Sequence, residues 1–324
     1  IRIKMNVLSL FDGMSCGQQA LERSGIHIDN YFASEIDKYA IKVTMANYPD
    51  THQLGSVIDV DGYSLPKIDL LLGGSPCQSF SFEGKCKGMS TKDEQETLTL
   101  EHYLELKSEG FEFEGQSYLF WEYMRLLNEV KPKYFLLENV MMSEKWEKIL
   151  SKAIGVNPIE INSALLSAQN RKRLYWTNIG MIPSGLFGDL ESVIQQPKDK
   201  GILLKDIIEE EVDNKYFLSD MAITRIKKYN NGERFFQDDN KSLCLMAVYH
   251  KQGRDNQYIN TTNTVGSNEV IINKRIRRLT LLECERLQTV KDNYTNHVSD
   301  TQRYRMLGNG WTVDVISHIL NYIN

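Results

Sequence analysis

Short runs of nearly uninterrupted apolar residues recur along the first part of the chain and constrain its fold more than any other feature. Segments with helical spacing, such as Gln18–Ser24 and Lys38–Asn47, lie between the first of these runs. Apolar strands that alternate with helices are typical of a parallel sheet covered on both faces. The sequence therefore predicts a doubly wound α/β fold with a mostly parallel sheet. The predicted strands are Asn6–Leu10, Tyr31–Ser34, Asp69–Leu72, Tyr134–Leu137 and Leu174–Thr177.

The alternation stops at two places, which predict an insertion and a second domain. Residues 86–115 are polar and charged, and they follow the third predicted strand, where an inserted arm is expected. From about residue 182 to 274 the proportion of Gly, Asn, Asp and Gln rises, with strand-like runs at Leu243–Tyr249 and Val270–Ile272. The predicted segments are a main domain over residues 1–181, a smaller mixed domain over 182–274 and a return to the main domain over 275–324.

Charge and composition exclude several classes of protein. With 38 basic and 43 acidic residues the formal net charge is −5, which argues against a dedicated nucleic-acid coat protein because phosphate binders carry a positive field. No apolar run approaches a membrane span, and Asp12 interrupts the first apolar run before it resembles a signal peptide. The five cysteines are widely spaced without a C-x-x-C pair, so we expect no disulfide framework and no metal site.

The turn after the first predicted strand indicates a nucleoside ligand. Phe11–Gly17 includes Gly13, which lets the backbone approach a ligand closely, and the helix start offers unpaired N–H groups. Ser15 breaks the G-x-G-x-x-G pattern of dinucleotide sites, while Glu35, eighteen positions after Gly17, can accept both ribose hydroxyls. These features favour S-adenosylmethionine over a nicotinamide cofactor. A plain tight turn beside a solvated glutamate is the alternative.

Three further groups of polar residues lie next to predicted strands. Cys77 sits on a turn restrained by Gly and Pro, where a thiol can act as a nucleophile; a buried structural cysteine is the alternative. A buried, protonated Glu138 can both donate to and accept from a base edge; otherwise it satisfies the start of the next helix. The basic run Gln169–Arg173 suits contacts to phosphates and bases, or it is a solvated surface.

These motifs, in this order, resemble those of the DNA cytosine-5 methyltransferase family. The resemblance spans most of the chain outside residues 182–274, and it is specific because all the motifs occur in family-like order. It implies the S-adenosylmethionine-dependent methyltransferase fold, with the smaller mixed domain as a target recognition domain. The matching segments are Phe11–Gly17, Pro76–Gln78, Ser79–Lys85, Leu119–Phe120, Glu138–Val140, Gln169–Arg173, Arg278–Gln288 and Gly308–Val313.

The resemblance implies a covalent route for methyl transfer to C5 of a cytosine flipped out of a specific DNA sequence. Cys77 would add as a thiolate to C6, which makes C5 nucleophilic. Glu138 would bind N3 and the exocyclic amino group, and Arg173 would hold the O2 side with support from Arg171. Removing the base from the stack costs a few kcal/mol.

The resemblance and the polar stretches of the second domain also assign binding residues. The implied cofactor-binding residues are Phe11, Asp12, Gly13, Met14, Cys16, Gly17, Glu35, Ile36, Ser56, Val57, Pro76, Leu119, Asn309, Trp311 and Thr312. The expected DNA-binding residues are Gln78, Ser81, Gly84, Lys85, Gln169, Arg254 and Thr262.

Two departures from the family pattern stand out. Gly55–Val57 lacks the acidic residue that usually contacts the adenine amino group, so backbone atoms or Asp59 would have to replace it. An insertion at roughly residues 88–114 follows the start of the catalytic loop. The nearest alternative function is a tRNA cytosine-5 methyltransferase, but the Cys-Phe-Thr signature of that branch is absent. A catalytically inactive DNA-binding relative is the second alternative, against which the intact catalytic motifs argue.

The expected partners and surroundings follow from the same resemblance. We expect a monomer that binds double-stranded DNA in the cytoplasm of a bacterial or phage-infected cell, without a membrane, and with a cognate restriction endonuclease if it belongs to a restriction-modification system. Basic clusters at Arg171–Arg173, Lys227–Lys228 and Lys274–Arg278 can make a cleft positive on an acidic protein. DNA affinity should then fall steeply with salt.

Overall fold

The computed structural model consists of one large sheet with flanking helices and two smaller sheets. It describes residues 4–76, 89–93, 95–184, 189–230, 234–236, 238–251, 253, 256–263 and 273–323. Within these ranges no helix has both the length and the apolar character needed to cross a membrane. The strands are β1 (Lys4–Leu10), β2 (His27–Ser34), β3 (His52–Gln53), β4 (Leu70–Gly73), β5 (Tyr134–Val140), β6 (Ile159–Asn162), β7 (Lys172–Thr177), β8 (Met181–Ser184), β9 (Asp189–Ser192), β10 (Phe235–Phe236), β11 (Tyr258–Asn263) and β12 (Asn273–Arg277). The α-helices are α1 (Cys16–Arg23), α2 (Lys38–Asn47), α3 (Leu100–Ser108), α4 (Phe120–Val130), α5 (Glu144–Ile154), α6 (Asp220–Asn230), α7 (Leu281–Leu287), α8 (Asp300–Asn309) and α9 (Val313–Leu320).

The large sheet confirms the predicted fold class. Its strand order is β3-β2-β1-β4-β5-β7-β6, and the pairs β2–β3, β1–β2, β1–β4 and β4–β5 are parallel. The last predicted strand, β7, runs antiparallel to β5. An apolar run does not reveal strand direction, but only nine residues separate β6 from β7, fewer than a parallel crossover needs.

The central strands are buried on both faces, as their composition predicts. Leu70, Leu71 and Leu72 of β4 have no exposed surface. At the end of this strand Gly73 lets α4 approach closely, because a Cβ atom there would lie 2.7 Å from the ring of Tyr123. The carboxyl end of β4, which leads to the predicted nucleophile, therefore packs directly against a helix.

The chain divides into two compact units. The first unit comprises residues 1–161, 172–196 and 316–324, and the second comprises residues 162–171 and 197–315. In the second unit β10 pairs parallel with β11, which pairs antiparallel with β12, so this unit has the small mixed sheet that the sequence predicts. Compactness does not report which residues recognise DNA, and the functional boundaries at 182 and 274 stay a prediction.

The predicted strand at Leu243–Tyr249 is wrong. Its backbone amides are taken by side-chain amides instead of a neighbouring strand: the Leu243 amide donates to Gln257 Oε1 and the Leu245 amide to Gln169 Oε1, at 2.5 and 3.2 Å. Of its apolar residues, Leu245 and Tyr249 are buried whereas Val248 is 45% exposed, so the apolar composition of the segment does not mark a strand. The other predicted run, Val270–Ile272, lies outside the described residues.

Candidate active site

The loop between β1 and α1 has a strained backbone at the carboxyl edge of the sheet. Phe11, Gly13 and Ser15 have φ angles of 57°, 58° and 62°, a region that costs a non-glycine residue about 1 kcal/mol or more. Neighbouring hydrogen bonds hold the loop there: the Asp12 amide donates to the Ser34 carbonyl of β2 at 3.2 Å, and the Ser15 amide to the Asp12 carbonyl at 3.0 Å. The predicted cofactor loop is thus a fixed turn where sheets of this type bind ligands.

Asp12 brings a carboxyl group with an unusual pKa to this loop. Its two oxygens accept from the Ser15 and Tyr31 hydroxyls, both at 2.7 Å. Burial, with a smaller contribution from the nearby Glu35, raises the pKa of Asp12 to about 6, although hydrogen bonds to the Ser9, Ser15 and Tyr31 hydroxyls lower it. Two carboxyl groups at one edge loop favour a cationic ligand such as a sulfonium over a pyrophosphate.

The Glu35 carboxylate is oriented by three backbone amides. Gly13 donates to one oxygen at 2.7 Å, and Ile36 and Asp37 donate to the other at 2.7 and 2.8 Å. A carboxylate has about four acceptor positions, so these bonds leave one for an incoming ribose hydroxyl instead of the two that the sequence suggested. The adjacent Ile36 side chain is 72% exposed and offers an apolar surface next to that position.

The segment after β3 presents an apolar residue that the sequence analysis missed. Val57 is buried, and the Ser56 hydroxyl accepts from the Ile58 amide at 3.3 Å, so both predicted side chains serve the loop itself. Ile58 is 41% exposed, and Asp59 is exposed as well. The signal that the sequence analysis missed is the group of apolar residues in this segment. The residue of that group that faces outward is available to contact a ligand instead of packing in the core.

The remaining cofactor residues of the first unit lie behind the loop. Met14, Cys16 and Gly17 are buried at the start of α1, and Leu119 is half-buried against the main core. Because the Met14 and Cys16 side chains are buried, a ligand contact with this segment would involve its backbone.

The turn that leads to the predicted nucleophile is tied to the end of β5. The Asn139 side-chain amide donates to the Ser75 carbonyl at 3.3 Å and to the Ser75 hydroxyl at 3.1 Å, and both residues are buried. Pro76 ends this turn, partly exposed. Five predicted residues directly after it lie outside the described residues: Cys77, Gln78, Ser81, Gly84 and Lys85.

Glu138 and Arg173 form an ion pair on neighbouring antiparallel strands. Val140 of β5 lies opposite Arg173 of β7, and Glu138, two residues earlier, shares that face because side chains alternate along a strand. Arg173 Nε lies 3.0 Å from Glu138 Oε1, and the side chains are only 14% and 11% exposed. The structure therefore brings a carboxyl group and a guanidinium together at the carboxyl end of β5, as the sequence analysis predicted.

Arg171 does not lie in this pair, contrary to its predicted supporting role. It belongs to the second unit and is 4% exposed. Its guanidinium donates to the carbonyls of Leu245, Gly308 and Gly310 at 3.2, 3.3 and 2.9 Å. A guanidinium carries five N–H donors in a rigid planar arrangement, which suits a position where several backbone carbonyls converge. We therefore assign Arg171 a structural role.

Gln169 is also buried, with no exposed surface. Its side chain is therefore not accessible for the DNA contact that the sequence analysis predicted. Its side-chain amide donates to the Leu287 carbonyl at 2.8 Å and to Gln288 Oε1 at 2.9 Å. The Thr312 hydroxyl donates to the same Gln288 oxygen at 3.0 Å and accepts from Ser163 at 2.8 Å. We call these residues with Arg171 the second-unit brace.

The other predicted residues of the second unit lie mostly on loops and strands. Asn309 is exposed and Trp311 is half-buried. Thr262 lies in β11, and Arg254 lies outside the described residues. Of the predicted basic clusters, the last loses one surface charge, because Arg277 is buried and paired with Glu283 through two bonds of 2.7 Å.

The strand order and the edge loops define the fold class of S-adenosylmethionine-dependent methyltransferases. Solved structures with this fold include the Entamoeba histolytica methyltransferase EhMeth, with a TM-score of 0.71 at 17% identity over 99% of this chain and 98% of that one. S. pombe Dnmt2 matches with a TM-score of 0.65 at 18% identity over 98% and 97% of the two chains. At such identities the likeness shows the fold alone.

The chain belongs to the C-5 cytosine-specific DNA methylase family, whose model matches residues 5–324. The type II methyltransferase M1.ScrFI of Lactococcus lactis subsp. cremoris is 29% identical over 98% of this chain and 77% of that protein. The type II methyltransferase M.NlaX of Neisseria lactamica is 27% identical, over 97% and 94%. The orphan methyltransferase M.SPRI of Bacillus phage SPR is 26% identical, over 99% of both. The resemblance read from the sequence motifs is thereby confirmed.

Proposed function

We propose that this protein transfers a methyl group from S-adenosylmethionine to C5 of a cytosine flipped out of a specific sequence in double-stranded DNA. The Glu138–Arg173 pair carries this proposal, since it offers an acid and a cation for the polar edge of one pyrimidine. Gly73 lies opposite Leu137 in the β4–β5 register, so the chain leaves β4 beside Glu138. The Asn139–Ser75 bonds keep the turn toward Cys77 at that edge.

The residues of the first unit fit S-adenosylmethionine. The remaining acceptor position of Glu35 suits a ribose hydroxyl, and the exposed side chains of Ile36 and Ile58 suit the faces of an adenine ring. The carboxyl groups of Asp12 and Glu35 favour the positive charge of a sulfonium. When bound, the cofactor supplies an electrophilic methyl group.

Cys77 acts as the nucleophile in our proposal. Its thiolate would add to C6 of cytosine, which would convert C5 into an enamine-like carbon that takes up the methyl group of the cofactor, with release of S-adenosylhomocysteine. The C5 proton then leaves to water, the bond between sulfur and C6 breaks, and 5-methylcytosine is released with the thiolate restored. A thiolate route requires a restrained position for the sulfur, which the tied turn before Cys77 supports.

Glu138 and Arg173 stabilise the charge that develops on the base. Glu138 binds N3 and the exocyclic amino group through its carboxyl group, at the edge of the base where electron density rises when sulfur adds to C6. Arg173 donates to O2 and keeps the carboxyl group in place. Donors preorganised at a developing charge contribute about 3–4 kcal/mol to lowering a barrier.

The proposed reader of the DNA sequence is a segment that lies mostly in the second unit. We place target recognition within residues 182–274, and we expect the phosphate contacts to make binding strongly salt-dependent. The names of the relatives include both type II and orphan enzymes, so a partner endonuclease is a matter for genomic context. The proposed methyl transfer is the same with or without such an endonuclease.

Bisulfite sequencing of DNA from cells that express the chain tests the proposal. The wild type should produce 5-methylcytosine in one sequence context, and Cys77→Ala should produce none. Cys244→Ser is the matched control, because it removes another thiol while keeping an acceptor for the Arg171 contact at 3.2 Å; it should retain methylation. Methylation by Cys77→Ala would exclude the covalent route.

A trapping experiment then tests the bond itself. A duplex that carries 5-fluorocytosine at the identified target position has no C5 proton to lose, so the adduct cannot break down. With cofactor present, the wild type should form a covalent complex whose tryptic peptide carries the base on Cys77. Covalent attachment of the base to any residue other than Cys77 contradicts the proposal. Preferential methylation of tRNA over duplex DNA in parallel assays contradicts it as well.

A further inference from the structure

The insertion is fastened to α4 through a single buried carboxylate. Glu122 of α4 has no exposed surface, and one of its oxygens accepts from two residues of the insertion helix α3: the hydroxyl of Tyr103 and the Lys107 ammonium, at 2.5 Å. The Tyr103 ring is itself buried and packs on Phe113, with centroids 4.9 Å apart. The insertion therefore reaches the interior of the first unit at this point.

Arg125 carries the connection from Glu122 to the segment after β3. Its Nε donates to the second Glu122 oxygen at 2.7 Å. Its Nη1 donates to the Val60 carbonyl and its Nη2 to the Val57 carbonyl, each at 3.0 Å. A guanidinium has a fixed planar fork, so the orientation set by Glu122 determines where these two carbonyls lie.

Glu129 closes the network on the other side of α4. One oxygen accepts from Arg125 at 2.8 Å, and the other accepts from the Gly62 amide at 2.9 Å. The network then holds two carboxylates, Glu122 and Glu129, and two cations, Lys107 and Arg125. A buried ionic network is stable only when each charge is compensated, so loss of Lys107 would leave one carboxylate in excess.

The bonds from α4 meet others that come from the sheet. The Ser34 hydroxyl at the end of β2 donates to the Gly55 carbonyl at 2.8 Å. Residues 55–62, which we call the adenine loop, are thus tied at Gly55, Val57, Val60 and Gly62. The exposed Ile58 lies between the ties at Val57 and Val60, directly after the segment that lacks the family's usual acidic residue.

We infer that the insertion sets the conformation of the adenine loop through Glu122 and Arg125, and so sets the affinity for the cofactor. Arg125, Tyr103 and Lys107 are positioning residues: they act on the ligand only through the backbone of this loop. The inference rests on the proposed function for the identity of the ligand. It assigns the inserted segment a role that is separate from DNA recognition.

Calorimetric titration with S-adenosylmethionine tests the inference on the full-length protein. Arg125→Lys keeps the charge but loses the fork, and it should weaken binding about tenfold or more. Lys107→Met and Tyr103→Phe each remove one donor to Glu122, and each should weaken binding about threefold. In all three variants kcat at saturating cofactor should stay near the wild-type value, because the Glu138–Arg173 pair is unchanged.

Lys145→Met is the matched control. Lys145 of α5 pairs with Glu96 of the insertion at 2.7 Å, so this variant removes another ionic tie of the insertion that does not reach the adenine loop. It should bind the cofactor as tightly as the wild type. Hydrogen exchange gives a second readout: amides of residues 55–62 should exchange faster in Lys107→Met but not in Lys145→Met.

Failure of this inference and failure of the proposed function give different results. A wild type that does not bind S-adenosylmethionine contradicts the proposed function. If the wild type binds the cofactor, two results overturn the role of the insertion. One is that Lys107→Met and Tyr103→Phe bind as tightly as the wild type, and the other is that the control Lys145→Met is weakened as much as they are. If Arg125→Lys unfolds, the partly exposed Lys107 still decides the question.

Discussion

The cofactor edge of the first unit and the brace of the second unit use polar motif residues in opposite ways. At the edge loops of the first unit, Asp12 accepts from the Tyr31 hydroxyl and Glu35 from the Gly13 amide, while the neighbouring Ile36 stays exposed. In the second-unit brace, Arg171 and Gln169 are buried and all their described bonds run to protein groups. Membership of a motif therefore does not show whether a side chain meets a ligand or supports those that do.

Loss of the Glu138 carboxyl group should have the largest effect. Glu138→Gln keeps the size of the side chain, but its amide cannot form the ion pair with Arg173 or supply the carboxyl group that binds the base in our proposal. We expect kcat to fall about 100-fold or more while cofactor affinity stays unchanged. Single-turnover methylation of a target duplex measures this. An unchanged kcat would place the site elsewhere.

Loss of the brace should act on stability instead of chemistry. Arg171→Met leaves three carbonyls without their buried donor, which should cost about 3 kcal/mol in the free energy of unfolding. Urea titration of the full chain measures the change. The neighbouring Lys172→Met removes an exposed pair with Glu160 at 3.0 Å and should cost at most about 1 kcal/mol. A folded, equally stable Arg171→Met protein with low kcat would restore the catalytic assignment.

Asp12, in the loop between β1 and α1, should make the free energy of unfolding depend on pH. The pKa of Asp12 rises from 3.8 to about 6 on folding, so the folded state binds this proton more tightly. The stability that the proton contributes is complete below pH 3.8 and is lost as pH rises toward 6. Relative to Asp12→Asn, the wild type should lose about 2 kcal/mol between pH 4.5 and 7. Unfolding curves at both pH values test this, and a constant difference would contradict the assigned shift.

Part of the candidate site was predictable because its residues follow predicted strands. Glu138 ends an apolar run, and parallel strands bring their carboxyl ends to one edge, so its position followed from the pattern. The fate of Arg171 was not predictable in this way. Only Lys172 separates it from Arg173, yet burial and carbonyl partners from distant segments decide its role. Arg125 was missed for the same reason, since its partners lie more than sixty residues away in the chain.

The sequence alone determined the α/β class, five of the seven strands of the large sheet and the family, since apolar runs and motif order are local properties of the chain. Only the tertiary structure decided that β7 runs antiparallel, that Leu243–Tyr249 is not a strand, and that Gln169 is buried. It also decided that Tyr103 and Lys107 of the insertion bond to the buried Glu122 of α4. These features depend on hydrogen bonds and packing between residues far apart in the chain, which no local pattern encodes.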